Sequence, residues 1–311
     1  MKIAVTGGSG FIGSHIVDKL SAAGHQVVVV DTRRPHRQDV TYRNVSIGDA
    51  NGMVRALAGC EAVFHLAGVS NVNEAFERPA LTFTVNAAGT ALVWEAARHN
   101  DVRRSILAST VWVYAGASGD GPFAEDAPLG LQGAGHVYTA SKMAAELAVT
   151  SAHELYGQEF TILRYGIPFG PRMREELVIP RFVRSALDGR TLTIHGDGLQ
   201  FRNYVYVEDL ADAHLLALTD KGANQVFNLE GPERISIQRI AEVVRDLVDR
   251  TLGIEFVPAR PGDYAGQVIS GAKAARLLQW QPGTTFVEGM RRYLDWYRAG
   301  LASSEERASQ A

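Results

Sequence analysis

The stretch from Lys2 to Asp31 constrains this chain more than any other. A short apolar run, Ile3-Ala4-Val5, meets Thr6-Gly7-Gly8-Ser9-Gly10-Phe11-Ile12-Gly13. Phe11, Ile12, Ile16, Val17 and Leu20 then recur at helical spacing, and Gln26-Val27-Val28-Val29-Val30 is a second apolar run ending in Asp31. A buried strand that turns sharply into a helix and returns as a second strand is a βαβ unit. Gly7, Gly10 and Gly13 sit three apart. Glycine permits the tight turn, lets backbone N–H groups approach a phosphate, and lets the helix pack closely on the sheet. The first helical turn offers unpaired N–H donors and a partial positive charge, which suits a pyrophosphate. Asp31 stands where a carboxylate can accept from both hydroxyls of an adenosine ribose.

The same alternation continues. Apolar runs at Tyr42–Ile47, Ala62–Leu66, Arg104–Ser109 and Phe160–Arg164 are expected strands. The segments Gly13–Ala23, Asn51–Ala58, Pro79–Asn100 and Tyr138–Tyr156 have helical period. Strands alternating with helices imply an α/β fold, a doubly wound parallel sheet of the Rossmann type. Ligands bind such sheets beyond the carboxyl ends of the strands.

After about residue 165 the pattern changes. Gly166-Ile167-Pro168-Phe169-Gly170-Pro171 reads as loop or turn. Val178–Leu187 reads as a helix opened by Pro180, Thr191–His195 and Gln225–Leu229 as strands, and Val207–Thr219 as a helix. Ser236 is a cap for a helix running to about Leu252, and Ser270–Leu278 and Thr285–Ala299 are further helices. The expected division is a dinucleotide-binding domain of residues 1–165, with 204–229 returning to it. A smaller mixed α/β domain, 166–203 and 230–300, closes over the sheet's carboxyl edge, and 301–311 is a frayed tail.

Composition narrows the function classes. Of 311 residues, 46% are hydrophobic and 21% charged, ordinary for a globular enzyme, and the net charge of −3 argues against a polyanion partner. No basic run points to nucleic acid. A single cysteine, Cys60, rules out an internal disulfide and fits a reducing compartment. No apolar run is long enough to span a bilayer, so a cytoplasmic location is expected. The nine histidines show no paired metal-ligand spacing, and no metal is expected. There is no Gly-x-Ser-x-Gly elbow and no P-loop lysine. His65 reads as a packed strand-end residue.

Tyr138 and Lys142 lie in Tyr-Thr-Ala-Ser-Lys, four apart on one helix face. A free tyrosine titrates near ~10 and is a poor base at neutral pH. An ammonium one turn away favours the phenolate, and an oxidised nicotinamide nearby would add to this. Such a tyrosine can take a hydroxyl proton as hydride leaves. Thr110, just after a strand, can hydrogen-bond the reacting oxygen and aim it at Tyr138.

These residues carry a resemblance. The motifs are Thr6 to Gly13, His65-Leu66-Ala67-Gly68, Asn86 with Gly89-Thr90, Ser109-Thr110 leading to Val113-Tyr114, Tyr138 to Lys142, and Arg202-Asn203-Tyr204-Val205-Tyr206-Val207 before Asp209. From Lys2 to about Tyr297 the chain resembles an extended short-chain dehydrogenase/reductase, in the NAD-dependent nucleotide-sugar epimerase/dehydratase family and of UDP-glucose 4-epimerase type. The resemblance implies NAD held by Gly7, Gly10, Phe11, Ile12, Gly13 and Asp31. It implies an adenine contact from Asp49 with Ala50, and further cofactor contacts from Leu66, Ala67, Lys142 and Tyr165. Asn86 would support the sheet edge near the cofactor. Arg33 and Arg34 would suit a 2′-phosphate, but Asp31 would repel it, so NAD is preferred over NADP. Arg202 and Arg260 match positions that hold a nucleotide diphosphate, a task for guanidinium forks, and Asp263 would hold the nucleoside side.

Two departures matter. Dehydratases of the family carry Asp-Glu after the catalytic threonine, and the related decarboxylases also carry a glutamate there; this chain has Val111-Trp112. Tryptophan cannot remove a ring proton, which argues against both reactions. Many members read Arg-Tyr-Phe-Asn where this chain has Arg164-Tyr165-Gly166-Ile167; isoleucine cannot donate the asparagine's hydrogen bond to a diphosphate. The expected activity is epimerisation of a nucleotide-diphosphate sugar at C4, through a transient 4-keto intermediate. The alternative is a net NAD(P)-dependent dehydrogenase or reductase of a sugar or other secondary alcohol. An alternative of another class is a non-catalytic NAD-binding sensor. The apolar residues of Pro79–Asn100 and Tyr138–Tyr156 spread around each helix, so a homodimer is expected.

Overall fold

The structure, a computed structural model, describes residues 1–119, 121–130, 136–259 and 267–309. The chain opens with β1 (Lys2–Thr6), α1 (Phe11–Ala22), β2 (Gln26–Asp31), β3 (Thr41–Asn44), α2 (Ala50–Ala56) and β4 (Ala62–His65). Then come α3 (Val72–Glu77), α4 (Pro79–Phe83), a π-helical turn at Thr84–Ala88, α5 (Gly89–His99) and β5 (Arg104–Thr110). A 3-10 turn at Val111–Tyr114, α6 (Val137–Tyr156) and β6 (Glu159–Tyr165) follow. The remainder holds β7 (Ile167–Phe169), α7 (Val178–Leu187), β8 (Leu192–His195), β9 (Phe201–Tyr206), α8 (Val207–Ala217) and β10 (Gln225–Leu229). It ends with β11 (Arg234–Ser236), α9 (Ile237–Val248), β12 (Ile254–Val257) and α10 (Phe286–Ser309).

Two compact units result. The first comprises Met1–Tyr165, Ala211–Leu229 and Val268–Gln281. Its seven strands are ordered β10-β6-β5-β4-β1-β2-β3, all parallel. Strand order reverses beside β1, so the loops after β1 and β4 flank a topological switch point. The valine-rich strands are buried on both faces. On one side Ala4, Val28, Val63, Leu107 and Ile162 pack with Val93, Trp94, Ala97, Ala145 and Val149. Each such aliphatic side chain contributes about 1.5–3 kcal/mol. Thr110 and Tyr165 are register partners, so β5 and β6 end level.

Pro79–Asn100 is not one helix. The π turn divides it, a feature often found at functional sites. It places Asn86 so that its side-chain amide bonds the loop after β4 and α6 (below).

The second unit comprises Gly166–Leu210, Glu230–Gln267 and Pro282–Ala311. A three-stranded sheet, β11-β9-β7, and a two-stranded one, β12-β8, carry amphipathic helices α7 and α9. The Gly166–Pro171 segment, expected as a loop, contains β7. Pro168 is tolerated because β7 is an edge strand, which need not supply every backbone N–H to a neighbour. Pro180 likewise falls in the first turn of α7, where its missing N–H would have had no helical acceptor. Ser236 caps α9, its hydroxyl accepting from Arg239 N at 3.0 Å. α10 is assigned through to Ser309, across most of the stretch expected as a tail.

Candidate active site

The glycine loop is built by backbone. Gly7 has φ +70°, and a Cβ there would lie 2.6 Å from Ala67 N. A Cβ on Gly13 would run into Gly7 O. Gly7 N donates to Val30 O and Gly10 N to Gly7 O, each 3.0 Å. Gly10 is the N-cap of α1 and supplies no capping side chain, and the first turn carries no acid. Phe11, Ile12 and Gly13 form that turn, so its positive end is left for an anion. Asp31 accepts from Ser9 N at 3.0 Å and from Arg33 N at 2.9 Å, which fixes its carboxylate at the end of β2. A tight cradle, an uncapped helix end and an oriented carboxylate fit a dinucleotide.

The adjoining positions are occupied as follows. Asp49 caps α2 by accepting from Gly52 N at 2.9 Å, and Ala50 is the exposed first residue of that helix. Leu66 N donates to Thr6 O and Ala67 N reaches Thr6 Oγ1 at 3.4 Å. Arg34 lies over the Tyr42 ring. Tyr165 is buried, its hydroxyl 2.6 Å from His214 Nε2, and burial and then the charge of Tyr138 hold its pKa well above the usual range.

His65 is the packed residue the sequence suggests. The Thr90 hydroxyl donates to Asn86 O at 2.6 Å, so it can only accept from His65 Nε2, 3.0 Å away. His65 Nδ1 is then the acceptor for the Thr6 hydroxyl at 2.7 Å. Burial, and then the Lys142 charge, push its pKa down to about 3, so the ring stays neutral.

The proton-handling corner is built by side chains. Thr110 Oγ1 accepts from Trp112 N at 3.2 Å, capping the 3-10 turn. Its own proton remains for another oxygen. Lys142 is buried and donates to Ala108 O at 2.9 Å, on the strand that ends in Thr110. Burial pushes Lys142 down to about 8, while Glu146 pulls the other way. Tyr138 is half-buried one turn before Lys142, with its ring centroid 6.2 Å from that of Trp112.

Glu146 and Arg164, to which the sequence reading gave no role, fix this corner together with Asn86, which it placed near the cofactor. Glu146 accepts from Ser109 Oγ at 2.5 Å, from Arg164 Nε at 3.0 Å and from Arg164 Nη2 at 2.7 Å. It thereby bolts α6 to β5 and β6, beside Thr110 and Tyr165. Arg164 also donates to Tyr114 Oη, which donates to Asn228 Oδ1. Asn86 accepts from Val69 N and donates to Val69 O and Ser141 Oγ. The signal for Glu146 was present: 138, 142 and 146 repeat every four residues on one helix face.

On the second unit, Arg202 lies in β9 and donates to Phe201 O at 2.6 Å. Arg260 and Asp263 lie outside the described residues. Among the described residues no cluster could hold a metal, and no helix is long and apolar enough to cross a membrane.

The family described as "NAD dependent epimerase/dehydratase" matches residues 3–229. The chain belongs to that family. NAD dependence and the extended short-chain dehydrogenase/reductase fold come with membership. Family relatives include the UDP-glucose 4-epimerase of Mycolicibacterium smegmatis, 30% identical over 96% of this chain and 99% of the relative. dTDP-glucose 4,6-dehydratase 1 of Escherichia coli is 31% identical over 96% and 92%. UDP-glucose 4-epimerase of Thermotoga maritima, solved with UDP-glucose, superposes with TM-score 0.90 at 31% identity, covering 97% of this chain and 100% of that one. UDP-glucose 4-epimerase of Thermus thermophilus, solved with NAD, superposes with TM-score 0.86 at 32% identity over 96% and 99%. Epimerases and dehydratases of the family are thus matched about equally well, and the choice between them rests on the site residues.

Proposed function

We propose that the chain is an NAD-dependent epimerase of a nucleotide-diphosphate sugar, acting at C4 through a transient 4-keto intermediate. One observation carries this reading: Thr110, Tyr138 and Lys142 are tied to one strand end and one helix, while the two positions after Thr110 are Val111 and Trp112. The proton machinery for oxidising an alcohol is present, and the carboxylate for abstracting a ring proton is not.

In this reading bound NAD would supply reversible hydride transfer at the substrate carbon. Tyr138 removes the hydroxyl proton, Thr110 donates to the same oxygen, and Lys142 favours the Tyr138 phenolate. Gly7, Gly10, Phe11, Ile12 and Gly13 would hold the cofactor's pyrophosphate, and Asp31 its ribose. Arg202 and Arg260 would hold the nucleotide diphosphate of the substrate, and Asp263 its nucleoside side. Exposed apolar residues of α6, Leu147 and Leu155, support pairing with a second copy, and the lone, buried Cys60 is in keeping with a cytoplasmic setting. Ile167 favours a second reading, net dehydrogenation of another secondary alcohol, because it offers a diphosphate no hydrogen bond.

The test is incubation with UDP-, dTDP- and GDP-sugars without added cofactor. A C4 isomer is expected with no net NADH, and Tyr138→Phe is expected to lose about 100- to 10,000-fold of the rate while still binding NAD. NADH accumulating in step with an oxidised product would replace epimerisation by dehydrogenation. A Phe variant with full activity would remove Tyr138 from the chemistry.

A further inference from the structure

Tyr138 belongs to a cluster of four rings, packed in T-shaped and tilted contacts. Trp112 and His136 have centroids 5.0 Å apart, Trp112 and Tyr138 6.2 Å, and His136 and Tyr138 6.0 Å. Phe76 extends the row, 6.0 Å from His136. Trp112 packs against the buried cluster of Val113, Tyr114 and Phe123, but Trp112 and His136 are only half-buried and Phe76 is 62% exposed, so the rings also reach the surface.

The rings are held by the elements that carry the chemistry. Trp112 is the residue whose N–H caps onto Thr110 Oγ1. His136 is the N-cap of α6, its Nδ1 accepting from Thr139 N at 3.4 Å. With Nδ1 engaged as an acceptor and burial lowering its pKa, His136 is neutral, and its other nitrogen carries the proton. Trp112 is thus tied to Thr110 through its backbone and adjoins Tyr138 through its ring, and on the proposed roles a hydroxyl held by those two residues would bring its sugar ring toward Trp112.

Aromatic faces carry partial negative charge and accept the C–H face of a saturated ring, but they repel an anion. A carboxylate placed there would be desolvated against carbon. On the reading given under Proposed function, we infer that Trp112 and His136 form a wall on which the sugar ring stacks. The wall selects an uncharged hexose over a uronate. Trp112 thus has two consequences: it removes the ring-proton base, and it supplies the surface that recognises the sugar.

Calorimetric titration of the NAD-loaded full chain with UDP, UDP-glucose and UDP-glucuronate tests this, in the wild type, Trp112→Ala and Trp112→Phe. UDP-glucose is expected to bind more tightly than UDP, and UDP-glucuronate at least about tenfold more weakly than UDP-glucose. Trp112→Ala should lower UDP-glucose affinity by about 3- to 10-fold and leave UDP affinity unchanged, which also reports that the variant is folded. Trp112→Phe should restore most of the loss. Equal or tighter binding of UDP-glucuronate, or a silent Trp112→Ala variant, overturns the wall while leaving the epimerase reading intact. Failure of these and of the corresponding dTDP- and GDP-linked ligands to bind overturns that reading and the wall with it.

Discussion

Glu146 sits on α6 with Ser109 and Arg164 donating to its oxygens, whereas Glu230, just after β10, has an Oε1 that meets no donor. Both are buried, 5% and 7% exposed. In the first unit the acid is matched by a guanidinium as buried as itself. In the second, Glu230 packs on Gly166 and beside Asn203, whose own Oδ1 is also unpaired. Burial pushes Glu230 up from its usual 4.5 to about 8, against a smaller opposite pull from the Asn203 side chain. A paired acid fixes geometry at every ordinary pH. An unpaired one keeps its proton near neutrality and makes the surrounding fold pH-sensitive.

The largest expected effect comes from breaking the matched pair. Glu146→Ala leaves the Arg164 charge buried alone and should lower unfolding stability by about 3–5 kcal/mol in denaturant melts. Replacing both, Glu146→Leu with Arg164→Met, should recover most of that. A double variant as unstable as the single one would mean the network, not the charge balance, holds α6 to the sheet.

The next effect belongs to Glu230. Below about pH 4.5 its carboxyl is protonated whether the chain is folded or not. Between about 4.5 and 8 only the unfolded chain releases the proton, so stability falls as pH rises, and it levels off above 8. Glu230→Gln should flatten this slope in thermal melts taken from pH 5 to 8.5. Parallel slopes for variant and wild type would show that Glu230 titrates normally.

The smallest effect links the paired acid to catalysis. Lys142 loses its proton near pH 8, so kcat/KM should fall on the alkaline side. Glu146 raises the Lys142 pKa, and Glu146→Gln should start that fall at lower pH, with KM little changed. An unmoved alkaline limb would confine Glu146 to a structural role.

The contrast also bears on what could be read from the chain alone. β1, α1, β2 and the glycine loop were legible because a local pattern of valines and glycines dictates them. That Thr110 ends a strand, and that Tyr138 and Lys142 lie one turn apart on a helix, was legible in the spacing. The contacts that hold them were not: Ser109 and Glu146 are 37 residues apart, Asn86 and Ser141 55, and no local period joins such pairs. β7 was misread because Pro168 looks like a breaker until the strand is seen to be an edge. Asn86 was placed on a regular helix because nothing in Thr84–Ala88 announces a widened turn.

Gly166 carries a consequence for the order in which this protein can change. A Cβ at that position would stand 2.9 Å from Asn203 O and 3.0 Å from Glu230 Oε2. Any side chain there must displace Glu230, so residues 166 and 230 are coupled. Removing the Glu230 carboxyl relieves one of these contacts and leaves the Asn203 carbonyl in place, so a side chain at 166 fits only after both the carboxyl and the β9 backbone have moved.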